Sequence, residues 1–414
     1  MKTDQNGGPD MSNYEHRKAT QRIKFTDANG QAASDKDVHV KLVNHKFLFG
    51  CGANDFVPPE ELTDEERANL PISEEQQAVA NDINHKWLDL FNYGTMHFYW
   101  GMYEPEEGKP RYEQYMRTAK YLTSKGVTLK GHPLCWHTVC ADWLMKYDNA
   151  TILQKQLDRI NRDVTAFKGV IDYWDVINEV VIMPVYDRYD NAITRICKDL
   201  GRIKLVKEVF YAAKAANPDA TLLINDFNLS ESYRILIDGL LNAGVPVSAI
   251  GIQTHQHQGY MGREKIEDIL DRYSFFGIPL HFTENTFVSG HLMPPEIVDL
   301  NDYQPAEWPS TPEGEERQRR EWREIYEILF AHPLVEAVTG WDLTDGGWLG
   351  APSGILKKDG TIKPAYTELK KMIKEEWNTD YTVHTDAEGF AEVTGFKGEY
   401  EATVDGNTQK FTLG

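Results

Sequence analysis

Two glutamates, Glu179 and Glu284, each close a short apolar run and are the best candidates for catalysis in this chain. The runs, 173–179 and 280–284, are typical of buried strands, and such strands can present a terminal carboxylate at a barrel mouth. Two carboxyl groups facing one cleft suit glycosidic bond cleavage, in which one donates a proton and the other attacks or activates water. Either glutamate alone could instead form a strand-end salt bridge. We interpret the pair as catalytic.

The residues beside the two glutamates predict different protonation states. Trp136 would give Glu179 an apolar neighbour, which disfavours the charged carboxylate and suits a general acid. Glu284 must stay ionised to attack, and Gln253 and His255 are its candidate hydrogen-bond donors. Asn178 precedes Glu179, and its amide is suited to bind a sugar 2-hydroxyl.

Alternating strands and helices are predicted to position these residues. The strand candidates are 47–53, 93–100, 128–136, 173–178, 221–227, 249–255, 280–284 and 337–343. The helix candidates are 78–92, 113–125, 154–167, 202–216, 231–243, 264–275, 315–331 and 365–376. Eight strand–helix units predict an α/β fold, a closed (β/α)8 TIM barrel whose active face lies at the strand C-termini. Polar and aromatic residues crowd those ends, for example at 131–137, 225–228, 253–255 and 341–345.

The chain ends predict a second, smaller unit. We expect a disordered tail at 1–15, an N-terminal β-hairpin region at 16–45, the catalytic barrel at 46–377 and a C-terminal β extension at 378–414. The extension is expected to pack with the N-terminal strands as a small β-module. This module would act as a structural cap or as a sugar-binding unit.

Composition excludes several classes of partner. The net charge of −20, with 64 acidic and 44 basic side chains, argues against nucleic acid or an anionic membrane. The four cysteines lack zinc-type spacing and are expected to be buried or free thiols. No apolar stretch is long enough to span a bilayer. Residues 1–13 contain no signal-peptide core, so we expect a cytoplasmic protein or a secreted one whose signal has been removed.

Several motifs together resemble glycoside hydrolase family 10, the retaining β-1,4-xylanases, across residues 47–376. The motifs are Gly-His-Pro-Leu-Cys-Trp-His at 131–137, Trp-Asp-Val-Ile-Asn-Glu at 174–179, Asn-Asp-Phe-Asn at 225–228, Gly-Ile-Gln-Thr-His at 251–255 and Phe-Thr-Glu at 282–284. The resemblance implies that Glu179 is the acid/base and Glu284 the nucleophile. The implied substrate-binding residues are His132, Trp136, Asn178, Gln253, His255, Trp341, Trp348 and Tyr99. It implies xylan or xylo-oligosaccharides as substrate and no metal or other cofactor.

The chain departs from the family at two places. On the second strand the family carries Glu-Asn followed by Lys, whereas this chain has Thr95, Met96 and Tyr99. After the nucleophile, Thr286 replaces an Asp that supports the histidine of the sixth strand. These departures leave open a β-glycosidase acting on aryl glycosides, short oligosaccharides or another β-glycan. A non-catalytic carbohydrate-binding barrel is a further alternative.

Three other features receive weaker interpretations. The segment 287–315, which carries His291, Asp299, Tyr303 and Trp308, would shape leaving-group subsites or form a plain surface insertion. A metal pair at His255 and His257 would lack a third ligand at a suitable spacing. His85 and His97 are interpreted as structural residues.

Overall fold

A closed parallel barrel forms the centre of the molecule, and the computed structural model describes residues 11–53 and 56–414 of the chain. The strands are β1 (Lys18–Lys24), β2 (Asp37–His45), β3 (Leu48–Gly52), β4 (Tyr93–His97), β5 (Thr128–His132), β6 (Tyr173–Asn178), β7 (Thr221–Asp226), β8 (Ala249–Gln256), β9 (Leu280–Phe287), β10 (Val335–Gly340), β11 (Asp380–His384), β12 (Phe390–Phe396), β13 (Gly398–Val404) and β14 (Asn407–Leu413). The barrel order is β10-β3-β4-β5-β6-β7-β8-β9. This confirms the predicted (β/α)8 barrel.

Helices cover the outside of the barrel. They are α1 (Asp64–Ala68), α2 (Glu74–Leu90), α3 (Trp100–Tyr103), α4 (Tyr112–Ser124), α5 (Asn149–Ala166), α6 (Ala192–Leu200), α7 (Arg202–Ala216), α8 (Glu231–Asn242), α9 (Arg263–Ser274), α10 (Pro312–Ala331) and α11 (Pro364–Lys371). The sequence did not predict α1, α3 and α6, which are short. Local caps start two of them: the Thr63 side chain accepts from Glu66 N, and the Asn191 side chain accepts from Thr194 N.

The barrel strands are buried on both faces because one face meets the helices and the other fills the barrel. All eight residues of β9 are buried, as are five of the six in β6. This is the pattern of a parallel sheet covered on both sides. Helix α5 supplies a matching apolar face through Ile152, Ile160 and Val164, all fully buried. Burying each such side chain contributes about 1.5–3 kcal/mol.

Several strands end earlier than predicted, which frees their last residues for the cleft. β5 ends at His132, because Pro133 has no N–H to donate to the ladder. β10 ends at Gly340, so Trp341 already belongs to a loop. The residues at 133–136 and 341–343, which were predicted as strand ends, therefore lie in loops at the barrel mouth.

The two chain ends join into two small sheets beside the barrel. β1 pairs antiparallel with β12, and a second sheet has the order β11-β2-β13-β14. The predicted hairpin within 16–45 is therefore wrong in its pairing, although the turn after Asp27 exists. The inward residues Val38 and Val40 pack with strands from the C-terminal end, and burial of one face decides strand pairing more strongly than a nearby turn does.

The predicted disordered tail is partly wrong. Residues 1–10 lie outside the described part, but Met11–Arg17 form a 3-10 helix. Tyr14 is only 2% exposed, and its ring centroid lies 5.2 Å from that of Phe330 and 5.7 Å from that of Trp377. Arg17 donates to the carbonyl oxygens of Phe330, His332 and Val335. This segment is ordered because it covers apolar rings and satisfies carbonyl groups near the end of α10.

All four cysteines are buried free thiols, as the sequence predicts. Within residues 11–53 and 56–414, no helix has both the length and the apolar character needed to cross a bilayer.

Candidate active site

The two predicted catalytic carboxyl groups share one cleft at the C-terminal end of the barrel. Glu179 follows β6, and Glu284 lies within β9 beside Gln253 of β8 in the strand register. The Gln253 amide nitrogen, which the sequence predicts as a donor to Glu284, lies 3.4 Å from Glu179 Oε1 and 3.0 Å from Asn178 Oδ1. Asn225 of β7 donates to Glu284 Oε1 at 2.8 Å.

Glu284 is held in its ionised form. It is 4% exposed, and its two oxygens contact different donors: Oε1 receives the Asn225 hydrogen bond and Oε2 lies 3.0 Å from His255 Nε2. Burial raises the pKa of this carboxyl, but the His255 hydrogen bond and the charges of His132 and Lys130 outweigh burial and lower the pKa below its ordinary value. A carboxylate in this state can act as a nucleophile.

Glu179 is held in its protonated form near neutral pH. Burial, followed by the charge of Glu284, raises its pKa from 4.5 to about 8. The Trp136 indole N–H donates to Glu179 Oε2 at 2.9 Å and fixes the side chain. The backbone of Glu179 is left-handed, with φ of 57°, a conformation that costs a non-glycine residue about 1–2 kcal/mol. Such strain at the end of a strand is typical of functional positions.

An amide network connects the glutamates and orients Asn178. Its side-chain oxygen accepts from Asn225 at 2.9 Å and from Gln253 at 3.0 Å. The two bonds orient the Asn178 amide through its oxygen and leave its nitrogen to donate to a ligand. Asn225 was not predicted as a site residue, although its place at the end of the fifth barrel strand was the signal that could have identified it.

Aromatic rings form the wall on the Glu284 side of the cleft. The Trp341 ring lies 4.6 Å from His97 and 5.4 Å from His132, and Trp348 lies 4.4 Å from His255. His97 also stacks on Tyr99 at 5.0 Å. His97 therefore packs within this wall, and its interpretation as a structural residue stays a prediction.

Tyr99 connects the aromatic wall to Trp136. Its ring lies 5.3 Å from Trp136. Burial, together with the charges of Glu284 and Glu179, raises the pKa of its phenol well above 10, so the hydroxyl stays a neutral donor near both carboxyl groups. Thr95 and Met96, in contrast, are buried within the barrel.

A buried charge cluster below the cleft fixes His132. Asp175 Oδ2 lies 2.6 Å from His132 Nδ1 and 2.7 Å from Lys130 Nζ, and all three side chains are essentially inaccessible to solvent. Burial raises the pKa of Asp175, but Lys130 and His132 reverse this effect and the pKa is lowered. His132 Nε2 then points towards Glu284, 3.9 Å from Oε1. The sequence did not predict Lys130 or Asp175 as members of the site.

Thr286 contacts both His255 and His257. Its hydroxyl lies 3.3 Å from His255 Nδ1 and 3.2 Å from His257 Nδ1. Burial, followed by the charge of His255, lowers the pKa of His257 to about 3. No group of three His, Cys, Asp or Glu side chains that could hold a metal ion occurs in the described ranges.

The segment after β9 has a small core of its own. Val288, Met293, Trp308 and Ala351 form a buried cluster separate from the barrel core. The Trp308 ring stacks on His291 at 5.4 Å and approaches His257 at 6.0 Å. The segment is therefore a packed wall at the barrel mouth.

Comparison with known proteins gives a consistent family. The model of "Glycosyl hydrolase family 10" matches residues 75–372, which is most of the chain. The chain is 24% identical to an anti-sigma-I factor of Acetivibrio thermocellus, over 94% of this chain and 45% of that protein. It is 25% identical to an endo-1,4-beta-xylanase/feruloyl esterase of Xylanibacter ruminicola, over 66% of this chain and 40% of that protein. The chain thus spans less than half of these two relatives.

Shorter relatives and solved structures agree. Endo-1,4-beta-xylanase B of Thermotoga neapolitana is 25% identical over 74% of this chain and 86% of that protein. A GH10 structure from Paenibacillus barcinonensis has a TM-score of 0.61 at 20% identity, covering 80% of this chain and 96% of that one. Xylanase 10B of Thermotoga petrophila, solved with xylobiose, has a TM-score of 0.60 at 21% identity and covers 80% and 95%. These structures have the same fold, and with the family match over most of its length, the chain belongs to glycosyl hydrolase family 10.

Proposed function

We propose that this chain is a retaining glycoside hydrolase that cleaves β-1,4-linked xylan or xylo-oligosaccharides by double displacement. The proposal rests on two carboxyl groups in one cleft whose pKa values are shifted in opposite directions. The pKa of Glu179 is raised to about 8, while that of Glu284 is lowered. Pairs of carboxyl groups whose environments separate their pKa values take the acid and the nucleophile roles.

In the first step, Glu284 attacks the anomeric carbon and Glu179 protonates the departing glycosidic oxygen. The leaving sugar gains that proton, and the bond from the sugar to Glu284 replaces the glycosidic bond. The hydrogen bond from Asn225 and the contact with His255 hold the attacking carboxylate in place. The amide nitrogen of Asn178 would donate to the 2-hydroxyl, a bond that strengthens in the transition state.

The second step uses the same residues with Glu179 as base. Once Glu284 is esterified, its negative charge is gone, and one of the causes that raise the pKa of Glu179 disappears. Glu179, which gave its proton to the leaving group, then stays ionised and removes a proton from water as the water oxygen bonds to the anomeric carbon and the bond from that carbon to Glu284 breaks. The site therefore switches Glu179 from acid to base through the charge of its partner.

The cleft walls suit a pyranose ring. Trp341 and Trp348 offer apolar faces, while His132 and Tyr99 supply polar atoms beside them. Sugar rings have apolar faces and hydroxyl edges, so this combination matches their surface. The relatives named as xylanases support xylan as the substrate class.

Trapping the covalent intermediate tests the proposal. A 2-deoxy-2-fluoro xylobioside with a good leaving group should inactivate the enzyme, and peptide mass spectrometry should find the label on Glu284. Glu284→Gln should abolish both hydrolysis and labelling. The surface variant Glu316→Gln, on α10, is the matched control and should behave as the parent. Labelling at another residue, or turnover by Glu284→Gln, would contradict the mechanism.

A second candidate keeps the chemistry and changes the substrate. Tyr99 and His97 occupy the second-strand side of the cleft, where the family presents charged and amide groups. This favours aryl glycosides, short oligosaccharides or another β-glycan. Comparing turnover of polymeric xylan with aryl xylosides and glucosides separates the two; product release from the polymer supports the first candidate.

A third candidate is a barrel that binds carbohydrate without cleaving it. It predicts xylo-oligosaccharide binding in calorimetry with no hydrolysis and no label on Glu284.

A further inference from the structure

The catalytic pair divides the barrel into two halves. In the barrel order, β6 and β9 are the outer strands of one half, which contains β7 and β8 between them. Most of the aromatic wall lies on the other half, with Tyr99 and His97 from the β4 side, His132 from β5 and Trp341 after β10, while Trp348 packs on His255 of β8. On the proposed function, the sugar attacked by Glu284 would rest against that wall, and its leaving group would extend over β7 and β8.

Two loops rise on either side of that leaving-group half. One is the segment 179–191 after β6, and the other is the segment 288–311 after β9. They start from strands three positions apart in the eight-stranded ring, and the end of β7 lies between them. There Phe227 is 46% exposed, so the floor between the loops presents an aromatic ring.

A charged contact joins the two loops. The Arg188 guanidinium, from the first loop, forms ion pairs with Asp299 and with Asp302, both from the second. We call these three side chains the Arg188 bridge. All three are partly exposed. Because exposed ion pairs are individually weak and screened by salt, the bridge can open.

Both loops are fixed to the barrel independently of the bridge. In the second loop, Gln258 of the preceding loop donates to Pro294 O at 2.9 Å and to Ile297 O at 2.7 Å. In the first, the Tyr189 hydroxyl donates to His137 O at 3.0 Å. The bridge therefore joins two supported walls, and its loss should leave both walls standing.

We propose that the Arg188 bridge closes the leaving-group side of the cleft and thereby selects short leaving groups over polymer. This inference rests on the proposed function and assigns substrate length to Arg188, Asp299 and Asp302. A monosaccharide or aryl leaving group fits on the near side of the bridge. A polymer must open the bridge or thread beneath it, and so binds productively only in the fraction of molecules where the contact is broken.

The test compares two substrates in matched variants. The measured quantity is the ratio of kcat/KM for soluble β-1,4-xylan to kcat/KM for 4-nitrophenyl β-xylobioside. Arg188→Gln should raise this ratio roughly fivefold, the factor that corresponds to an exposed ion pair of about 1 kcal/mol. The double variant Asp299→Asn with Asp302→Asn should raise the ratio by the same factor, because it removes both carboxylate partners of Arg188. The loop should keep its structure, because Asn at 299 can still accept the hydrogen bond from Asn301 N.

Salt and a control pair sharpen the test. Rising ionic strength should increase the ratio for the parent and leave it unchanged for Arg188→Gln. Arg22→Gln removes a comparable exposed pair with Asp386, remote from the cleft, and should leave the ratio unchanged. If the ratio is unchanged in both bridge variants while hydrolysis is intact, the proposed role of the Arg188 bridge is wrong and the proposed function still stands. Absence of hydrolysis of both substrates by the parent overturns the proposed function.

Discussion

Removing the charge of Glu284 should lower the pKa of Glu179. The pKa of Glu179 is raised from 4.5 to about 8, first by burial and second by Glu284. A nearby charge commonly moves a carboxyl pKa by about 1–3 units, and each unit corresponds to about 1.4 kcal/mol. In Glu284→Gln, Glu179 stays buried but is no longer repelled by a neighbouring carboxylate. The expected pKa of Glu179 is then between about 5 and 7.

Carbon-13 NMR of labelled glutamate side chains measures this change directly. The Glu179 resonance is assigned by its loss in Glu179→Gln and titrated in the parent and in Glu284→Gln. Asp226→Asn is the graded control, because Asp226 also raises the pKa of Glu179 but contributes less than Glu284 does. A Glu179 pKa that is unchanged in Glu284→Gln would refute the electrostatic coupling and the acid-to-base switch built on it.

Three further perturbations test other parts of the structure. Trp136→Phe removes the 2.9 Å hydrogen bond to Glu179, which favours the ionised carboxylate, so the alkaline limb of the pH–rate profile should move to higher pH; an unmoved limb would contradict this. Asp175→Asn leaves Lys130 without its buried carboxylate partner and should cost about 3–5 kcal/mol in urea unfolding, whereas breaking the exposed His39–Asp380 pair with Asp380→Asn should cost at most about 1 kcal/mol. Glu179→Gln should flatten the pH dependence of stability: because the pKa of Glu179 is higher in the folded state, the stability it provides is complete below about 4.5 and is lost as the pH rises to about 8. Thermal unfolding of parent and variant at several pH values measures this difference, and parallel curves would contradict it.

The barrel itself follows from local sequence patterns. Each barrel strand is a short run that must bury both faces, and each covering helix has one apolar side, so both are visible without knowledge of neighbours. The apolar runs that carry Glu179 and Glu284 could be recognised for the same reason, although β9 continues past Glu284 to Phe287. Parallel strands direct their C-terminal ends to one face of the barrel, so residues at those ends are expected to meet.

The sequence predicts that the C-terminal extension packs with the N-terminal strands, but it does not predict which strands pair. The turn after Asp27 suggests a hairpin, yet β1 pairs with β12 because its partner edge comes from the other end of the chain. Tyr14 resembles part of a polar tail until Phe330 and Trp377 are placed beside it. These interactions join residues far apart in sequence, where local periodicity carries no information.

The sequence by itself determined the barrel, its longer covering helices and the two strand segments that carry Glu179 and Glu284. Only the tertiary structure decided that Asn225 connects Asn178 to Glu284, and that Arg188 reaches across to Asp299. The physical reason is the distance over which each interaction acts, along the chain or through space. Apolar periodicity acts between neighbours along the chain, whereas hydrogen bonds, ion pairs and pKa values depend on the groups that folding brings within a few ångströms.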